Sequence, residues 1–274
     1  MNQETTSYLD FTAFAQAIDP ADQALLANRH LLFCYPVRSS NEFEMADYPV
    51  SQGLLMAVCE KVGCRVSVEM ALIGDTGVVL PEQTDQEFSH IIIHPMISII
   101  DQLPDIAAAY GSRYPEARIV LQNSDQHQHE KLIGGPASRE IARQLLKQIS
   151  QVDWVIRGFS EHPLISLLLD RPTHAVTGRH GEGDHGIAFF ALESLPPHRE
   201  PEAAAGQGGS IRVQRSRGCL SGCTYCIEGQ ANKSLDSERS WDGVAIEDFV
   251  ERLQRLGEKG FFLRCRQARL CNVV

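Results

Sequence analysis

Apolar runs alternate with segments of helical periodicity along residues 30–170. The periodic segments are 50–63, 97–114, 138–150 and 160–170. The apolar runs are 30–37, 64–72, 88–96, 117–122 and 153–159. They are apolar almost throughout, as expected of strands that helices cover on both faces. Because this alternation requires crossover connections, it predicts an α/β fold with a doubly wound, parallel, five-stranded sheet.

The pattern changes after residue 170. Two short apolar segments around a Gly- and Asp-rich turn predict a β-hairpin over 171–193. The stretch SLPPHREPEAAAGQGG has no periodicity, which is typical of a linker. A further strand (SIRVQ) and an amphipathic helix over 244–260 follow. The expected domain order is an N-terminal extension (1–29), the doubly wound domain (30–170), the hairpin (171–193), the linker (194–209) and a second domain (210–274).

Composition narrows the functional classes. The 274 residues are 43% hydrophobic and 22% charged, which is typical of a globular protein. The net charge of −10 argues against sequence-independent binding of nucleic acid, which needs a basic surface. No apolar run reaches the roughly 18 residues that span a bilayer, and the N-terminus does not resemble a secretory signal. We therefore expect a cytoplasmic protein with neither a membrane nor a nucleic-acid partner.

The eight cysteines fall into different contexts. In a reducing compartment they are not expected to form four disulfides. Cys34, Cys59 and Cys64 lie in apolar segments and are interpreted as small core residues.

Three other cysteines, Cys219, Cys223 and Cys226, are spaced C-x-x-x-C-x-x-C, which indicates a metal site. Structural zinc usually has four protein ligands, and no second cysteine pair follows. Three thiolates on a four-iron cluster would leave one iron open to a substrate. The spacing favours the cluster over zinc without excluding zinc.

The segment RGCLSGCTYC, with Tyr225 before its last cysteine, resembles the signature of the radical S-adenosylmethionine enzymes. The resemblance implies a [4Fe–4S] cluster held by the three cysteines, with S-adenosylmethionine on the fourth iron and Tyr225 near its adenine. It also implies reductive cleavage to a 5′-deoxyadenosyl radical. An electron donor such as flavodoxin or ferredoxin and a small-molecule substrate are the implied partners. The second domain is then the first β/α part of an incomplete (β/α) barrel.

The first domain resembles the cobalamin-binding subgroup of that family. The similar segments are SQGLLMAVCEKVGCRVSV, IGGPAS and VDWVIRGFSEHPLISLLL. The resemblance implies that Gly134 and Gly135 let the backbone approach cobalamin closely, and that Ser98 lies beside it. Glycine also suits a plain turn, which is the alternative for this pair.

One feature departs from many cobalamin domains. They carry a cobalt-ligating histidine after the first strand, but the segment YPVRSSNEFEMADY here has none. The histidines of DQHQHE (125–130) follow the fourth strand and are interpreted as part of a polar loop, with weak binding of a transition metal as the alternative. We therefore predict that no histidine of the first loop coordinates cobalt. Some members of the subgroup lack the cofactor as well.

Two classes of function follow. The first is a radical S-adenosylmethionine enzyme that uses cobalamin for methyl transfer, rearrangement or ring closure. The second is a non-catalytic module that binds cobalamin or a nucleotide and keeps a vestigial metal loop. Glu161 and His162, at the end of the fifth strand, are interpreted as structural or ligand-lining residues in both.

The segment FFLRCRQARLCNVV differs from the apolar strand that the barrel would require. The expectation is a chain shortened or frame-shifted within the barrel, with a naturally short chain as the alternative. The strand IRVQ would then have one neighbour at best. An isolated strand pair is marginal in water, so limited proteolysis should remove 210–274 before 30–193. Equal protection of both segments would contradict this.

Overall fold

The structure is a computed structural model. It describes residues 7–38, 47–48, 50–82, 85–94, 101–122, 136–158, 160–186, 188–196, 210–213, 216–218, 241–243, 247, 250–251, 254 and 262–265. The described helices are α1 (Phe11–Ala17), α2 (Pro20–Ala27), α3 (Val50–Lys61), α4 (Leu103–Arg113), α5 (Pro136–Gln148) and α6 (Glu161–Leu168). None of them is long and apolar enough to cross a membrane.

The strands, in chain order, are β1 (Ser7–Leu9), β2 (His30–Arg38), β3 (Asp47–Tyr48), β4 (Arg65–Gly74), β5 (Gly77–Val79), β6 (His90–Ile93), β7 (Arg118–Gln122), β8 (Val152–Ile156), β9 (Val176–Gly178), β10 (Gly181–Glu182), β11 (Ala188–Phe190), β12 (Ser210–Val213), β13 (Ser216–Gly218), β14 (Trp241–Gly243) and β15 (Phe262–Cys265).

Eight of these strands form the main sheet, in the order β10-β9-β8-β7-β6-β2-β4-β5. The five in the middle, from β8 to β4, are mutually parallel. They are the five strands predicted from the apolar runs, and the doubly wound fold is confirmed. Strands β5, β9 and β10 extend the sheet by antiparallel pairing.

Helices cover both faces of the sheet. One face packs against α4 and α5 through buried residues such as Ile106, Tyr110 and Ala142. The other packs against α3 and α6, with Leu55 and Leu164 in its core. This two-sided burial explains why the strands carry apolar residues in succession.

The cysteines of this domain behave as expected. Cys34 and Cys59 are fully buried, and Cys64 is 5% exposed. All three are free thiols. Burial raises the pKa of each thiol, to about 12 for Cys64, so they remain protonated and unreactive.

The two strands predicted to form a hairpin over 171–193 do not pair with each other in the structure. Strand β9 turns back directly onto β10, at a tight turn where Gly181 has a φ of 141°. The second predicted strand, β11, instead runs parallel to β1. Its Phe190 ring lies 5.0 Å from the rings of both Phe11 and Phe14. These aromatic contacts with the N-terminal segment stabilise a pairing that local sequence does not reveal.

A second, three-stranded sheet has the order β15-β12-β3. Strand β12 is parallel to both neighbours, so the expectation of one neighbour at best was wrong. Its second neighbour is the β3 segment between β2 and α3, too short to be recognised from sequence. The stretch after residue 260 does form a strand, β15. Between β12 and β15 the described helical positions are Glu247, Val250, Glu251 and Gln254, all of them exposed. They fall within the predicted helix, and three of the four are polar.

Gly183 offers a test of how closely the β9–β10 segment packs. A methyl group there would overlap the backbone carbonyl groups of Pro172 and Thr173, which have no room to move aside. We expect Gly183→Ala to lower the free energy of unfolding by about 1–3 kcal/mol, measured by urea denaturation. Gly186→Ala is the matched control, because nothing lies within 4 Å of that position. Equal effects of the two substitutions would contradict the packing described.

Candidate cofactor-binding site

The carboxyl edge of the main sheet has the geometry of a ligand site. Strand β2 lies between β4 and β6. Helix α3 follows β2 onto one face of the sheet, and α4 follows β6 onto the other. Because the connections that follow β2 and β6 run in opposite directions, the carboxyl ends of these two adjacent strands form a topological switch point. Doubly wound sheets bind their ligands at such a switch point.

Cys34, in the middle of β2 and opposite Ile93 at the end of β6, accepts two hydrogen bonds through its backbone carbonyl. That oxygen accepts the backbone N–H of His94 at 3.4 Å. It also accepts the side-chain Nε2 of Gln52, in the first turn of α3, at 3.2 Å. Gln52 is fully buried. Its Oε1 has no hydrogen-bond partner among the described residues.

Gln122 is the last residue of β7 and is also fully buried. Neither its Nε2 nor its Oε1 has a partner in the described part of the chain. The register pairs Ile93 with Leu121, so His94 and Gln122 are the next residues along the two adjacent strands. A buried amide without partners costs about 1–3 kcal/mol for each unsatisfied group.

Other unsatisfied buried atoms lie at this same edge. Gln102, which precedes α4, has an unpartnered Oε1, and Arg157, directly after β8, has an unpartnered Nε, considering only described residues. Burial lowers the pKa of Arg157. Of the seven unsatisfied buried side-chain atoms among the described residues, five lie at this edge, and the other two belong to Tyr114 and Thr177. Such a concentration calls for an explanation, for instance a bound ligand.

His162, on α6, has a structural role, as expected. Its Nδ1 accepts the backbone N–H of Ala188 at 3.4 Å. Its ring lies 6.0 Å from that of Phe14 and 5.8 Å from that of Phe190. Burial lowers its pKa to about 4, so it stays neutral at pH 7. The neighbouring Glu161 is 8% exposed, in the first turn of the same helix.

The site residues predicted from sequence lie outside the described residues: Ser98, Gly134, Gly135, Cys219, Cys223, Tyr225 and Cys226. Elements that flank them are described. Helix α5 begins at Pro136, directly after the two glycines. Strand β13 ends at Gly218, directly before the first cysteine of the motif, and Gly218 pairs with Trp241. No group of three potential metal ligands occurs within the described residues.

Strand β3 brings the second sheet to this edge. It belongs to the connection that leaves the carboxyl end of β2 and returns through α3. Its Asp47 and Tyr48 pair with Ser210 and Ile211 of β12, and α3 contacts β12 as well. The segment leading to the cysteine motif therefore starts beside the switch point.

Sequence reasoning missed Gln52 and Gln122. Gln122 ends an otherwise apolar strand, RIVLQ, and Gln52 interrupts the apolar side of a helix. A polar residue at the carboxyl end of a predicted parallel strand is a signal that could have identified Gln122.

The fold is a doubly wound α/β domain followed by the start of a second parallel sheet. It is similar to solved structures of the cobalamin-dependent S-adenosylmethionine radical enzyme OxsB. The form with aqua-cobalamin and S-adenosylmethionine bound matches with a TM-score of 0.54 at 16% identity. The form with aqua-cobalamin matches with a TM-score of 0.57 at 14% identity.

Both matches cover 88% of this chain and 34% of the OxsB chain, so the protein spans about a third of that enzyme's length. The likeness confirms, at the level of the fold, the resemblance inferred from the sequence. No protein-family model matches the sequence. No curated protein matches it either.

The pKa of His162 predicts a pH dependence of stability. As the pH falls below about 6.5, the unfolded chain binds a proton that the folded protein resists until about pH 4. The free energy of unfolding should therefore decrease from pH 6.5 to pH 4, by at most about 1.4 kcal/mol per pH unit for one proton. His162→Gln should make this dependence shallower in urea denaturation. The same pH dependence of stability in both proteins would contradict this prediction. Some dependence should remain in His162→Gln, because burial also lowers the pKa of His90.

Proposed function

We propose that this chain carries the cofactor-binding part of a cobalamin-dependent radical S-adenosylmethionine enzyme. The observation that carries the proposal is the pairing of β12 with β3. It joins the strand before the C-x-x-x-C-x-x-C motif to the carboxyl edge of a doubly wound sheet. The two cofactors of such an enzyme would then lie on either side of one space, where a substrate meets both.

The polar groups at the carboxyl edge of the main sheet are chemically suited to binding cobalamin. The periphery of the corrin ring carries neutral primary amides, which both donate and accept hydrogen bonds. The unsatisfied atoms of Gln52 and Gln122 are likewise neutral amide atoms. Bound cobalamin supplies a transferable methyl group or a redox-active cobalt. The protein's part is to hold the ring at the edge and exclude water, with Gly134 and Gly135 allowing close approach and Ser98 beside it.

The cysteine motif supplies the second site. Cys219, Cys223 and Cys226 would bind three irons of a [4Fe–4S] cluster, and Tyr225 would lie near the adenine of S-adenosylmethionine. The bound cluster supplies the electron that cleaves the sulfonium. The pairing of Gly218 with Trp241 supports this assignment, because it holds the two ends of the segment 219–240 together. Thiolate ligands need a reducing compartment, which favours the cytoplasm and a donor such as flavodoxin or ferredoxin.

The second candidate is a non-catalytic module that binds cobalamin or a nucleotide. The observation that favours it is that, among the described residues, the buried side-chain amides with unsatisfied atoms belong to the doubly wound domain. Binding at that edge does not require the cysteine motif. The substrate would in either case be a small molecule.

Electron paramagnetic resonance distinguishes the two candidates. After anaerobic reconstitution with iron and sulfide, the reduced protein should give a [4Fe–4S]⁺ signal that shifts on adding S-adenosylmethionine. Cys223→Ser should lose most of the signal, since two thiolates hold a cluster poorly. Cys271→Ser, outside the motif, is the control and should keep it.

A protein that forms no cluster, or one indifferent to S-adenosylmethionine, would exclude the enzyme assignment for this chain. Tight binding of aquacobalamin by the same preparation would then favour the binding module. A signal that survives Cys223→Ser but not Cys271→Ser would overturn the choice of ligands.

A further inference from the structure

We propose that Gln122 recognises the ligand of this edge through a paired hydrogen-bond donor and acceptor, and that Gln52 accepts one further hydrogen bond from the same ligand. Two chemical groups present that pair: a primary carboxamide of a corrin ring and the edge of an adenine base. The inference deepens the proposed function and rests on it only in placing a ligand at this edge. It assigns recognition to two side chains of the doubly wound domain.

Gln122 requires both a donor and an acceptor from its partner. Its Nε2 and Oε1 are both unsatisfied among the described residues, so the requirement is the same whichever way the amide is oriented. A carboxamide meets it with two parallel hydrogen bonds. Adenine meets it through its amino group and ring nitrogen, the pattern that glutamine reads in nucleic acids.

Gln52 requires a hydrogen-bond donor from the ligand. Its Nε2 is held by the carbonyl oxygen of Cys34 at 3.2 Å. Because that oxygen only accepts, the amide cannot be turned around, and Oε1 must be the unsatisfied atom. A ligand that merely accepts hydrogen bonds, such as a free phosphate or carboxylate, would leave this oxygen and that of Gln122 unpaired. The two glutamines therefore select against simple anions.

The two amides lie on the same face of the sheet. Along β7, Val120 packs on the α3 and α6 face and Leu121 on the opposite face, so alternation puts Gln122 on the face that α3 covers. Gln52 contacts β2, and β6 lies between β2 and β7. A ligand that lies across this face can therefore contact both amides.

The test replaces Gln122 with methionine, an apolar side chain of similar length. Because Gln122 has no described partner, Gln122→Met should unfold at the same or a higher urea concentration than the parent. If Gln122 binds the ligand, the same variant should bind aquacobalamin about tenfold more weakly in an absorbance titration, since two hydrogen bonds are lost. A purely structural glutamine would not show lower affinity without lower stability.

Gln144→Met is the matched control. Gln144 is exposed on α5, where its Nε2 donates to Glu140 at 3.4 Å, and its replacement should leave affinity unchanged. If Gln122→Met fails to fold, Gln122→Asn serves instead. It keeps both hydrogen-bonding atoms but withdraws them by one methylene group, and it should also weaken binding.

Calorimetry with adenosine separates the two sources of the donor–acceptor pair. If Gln122→Met binds only aquacobalamin more weakly, Gln122 recognises a carboxamide of the corrin ring. If it binds only adenosine more weakly, Gln122 recognises the edge of the adenine base. The inference is overturned if Gln122→Met binds both ligands as tightly as the parent, or if the parent binds neither. Since the cluster signal does not involve Gln122, a variant with normal affinities and a normal response to S-adenosylmethionine would overturn this inference and leave the proposed function intact.

Discussion

The pairing of β2 with parallel strands on both sides is the constraint on which the rest of the structure depends. It forces α3 and α4 onto opposite faces of the sheet, which creates the switch point at the carboxyl edge. It also directs the chain between β2 and α3 out of that edge, where β3 pairs with β12. The switch point at the carboxyl edge and the start of the second sheet are thus two consequences of one strand's position.

The two ends of β2 differ in how their polar groups are satisfied. At the amino end, the backbone and imidazole of His30 find hydrogen-bond partners in Ser89 and Ser67. At the carboxyl end, Gln52 and Gln122 are buried with amide atoms unsatisfied by described residues. The amino end is not fully satisfied either, because the buried hydroxyl of Tyr114 has no partner among the described residues. A ligand that binds the folded protein at the carboxyl end would stabilise it.

Similarity to OxsB at 14–16% identity illustrates what the fold requires. Parallel strands covered on both faces need apolar, largely β-branched residues, and many sequences meet that requirement. The shared architecture therefore does not determine which side chains a site would contain. Ligand recognition by this chain depends on its own residues, and we propose Gln122 as one of them.

The sequence by itself determined the five parallel strands, because periodicity and burial are local properties that each segment carries alone. It also predicts a metal motif at Cys219, Cys223 and Cys226, since their spacing is a property of one short segment. Only the tertiary structure decided that β11 pairs with β1 and that β12 pairs with β3. Each pairing joins segments more than 150 residues apart, and β3 is too short to carry a pattern. That Gln52 and Gln122 are buried with amide atoms unsatisfied by described residues likewise depends on neighbours that only the folded sheet assembles.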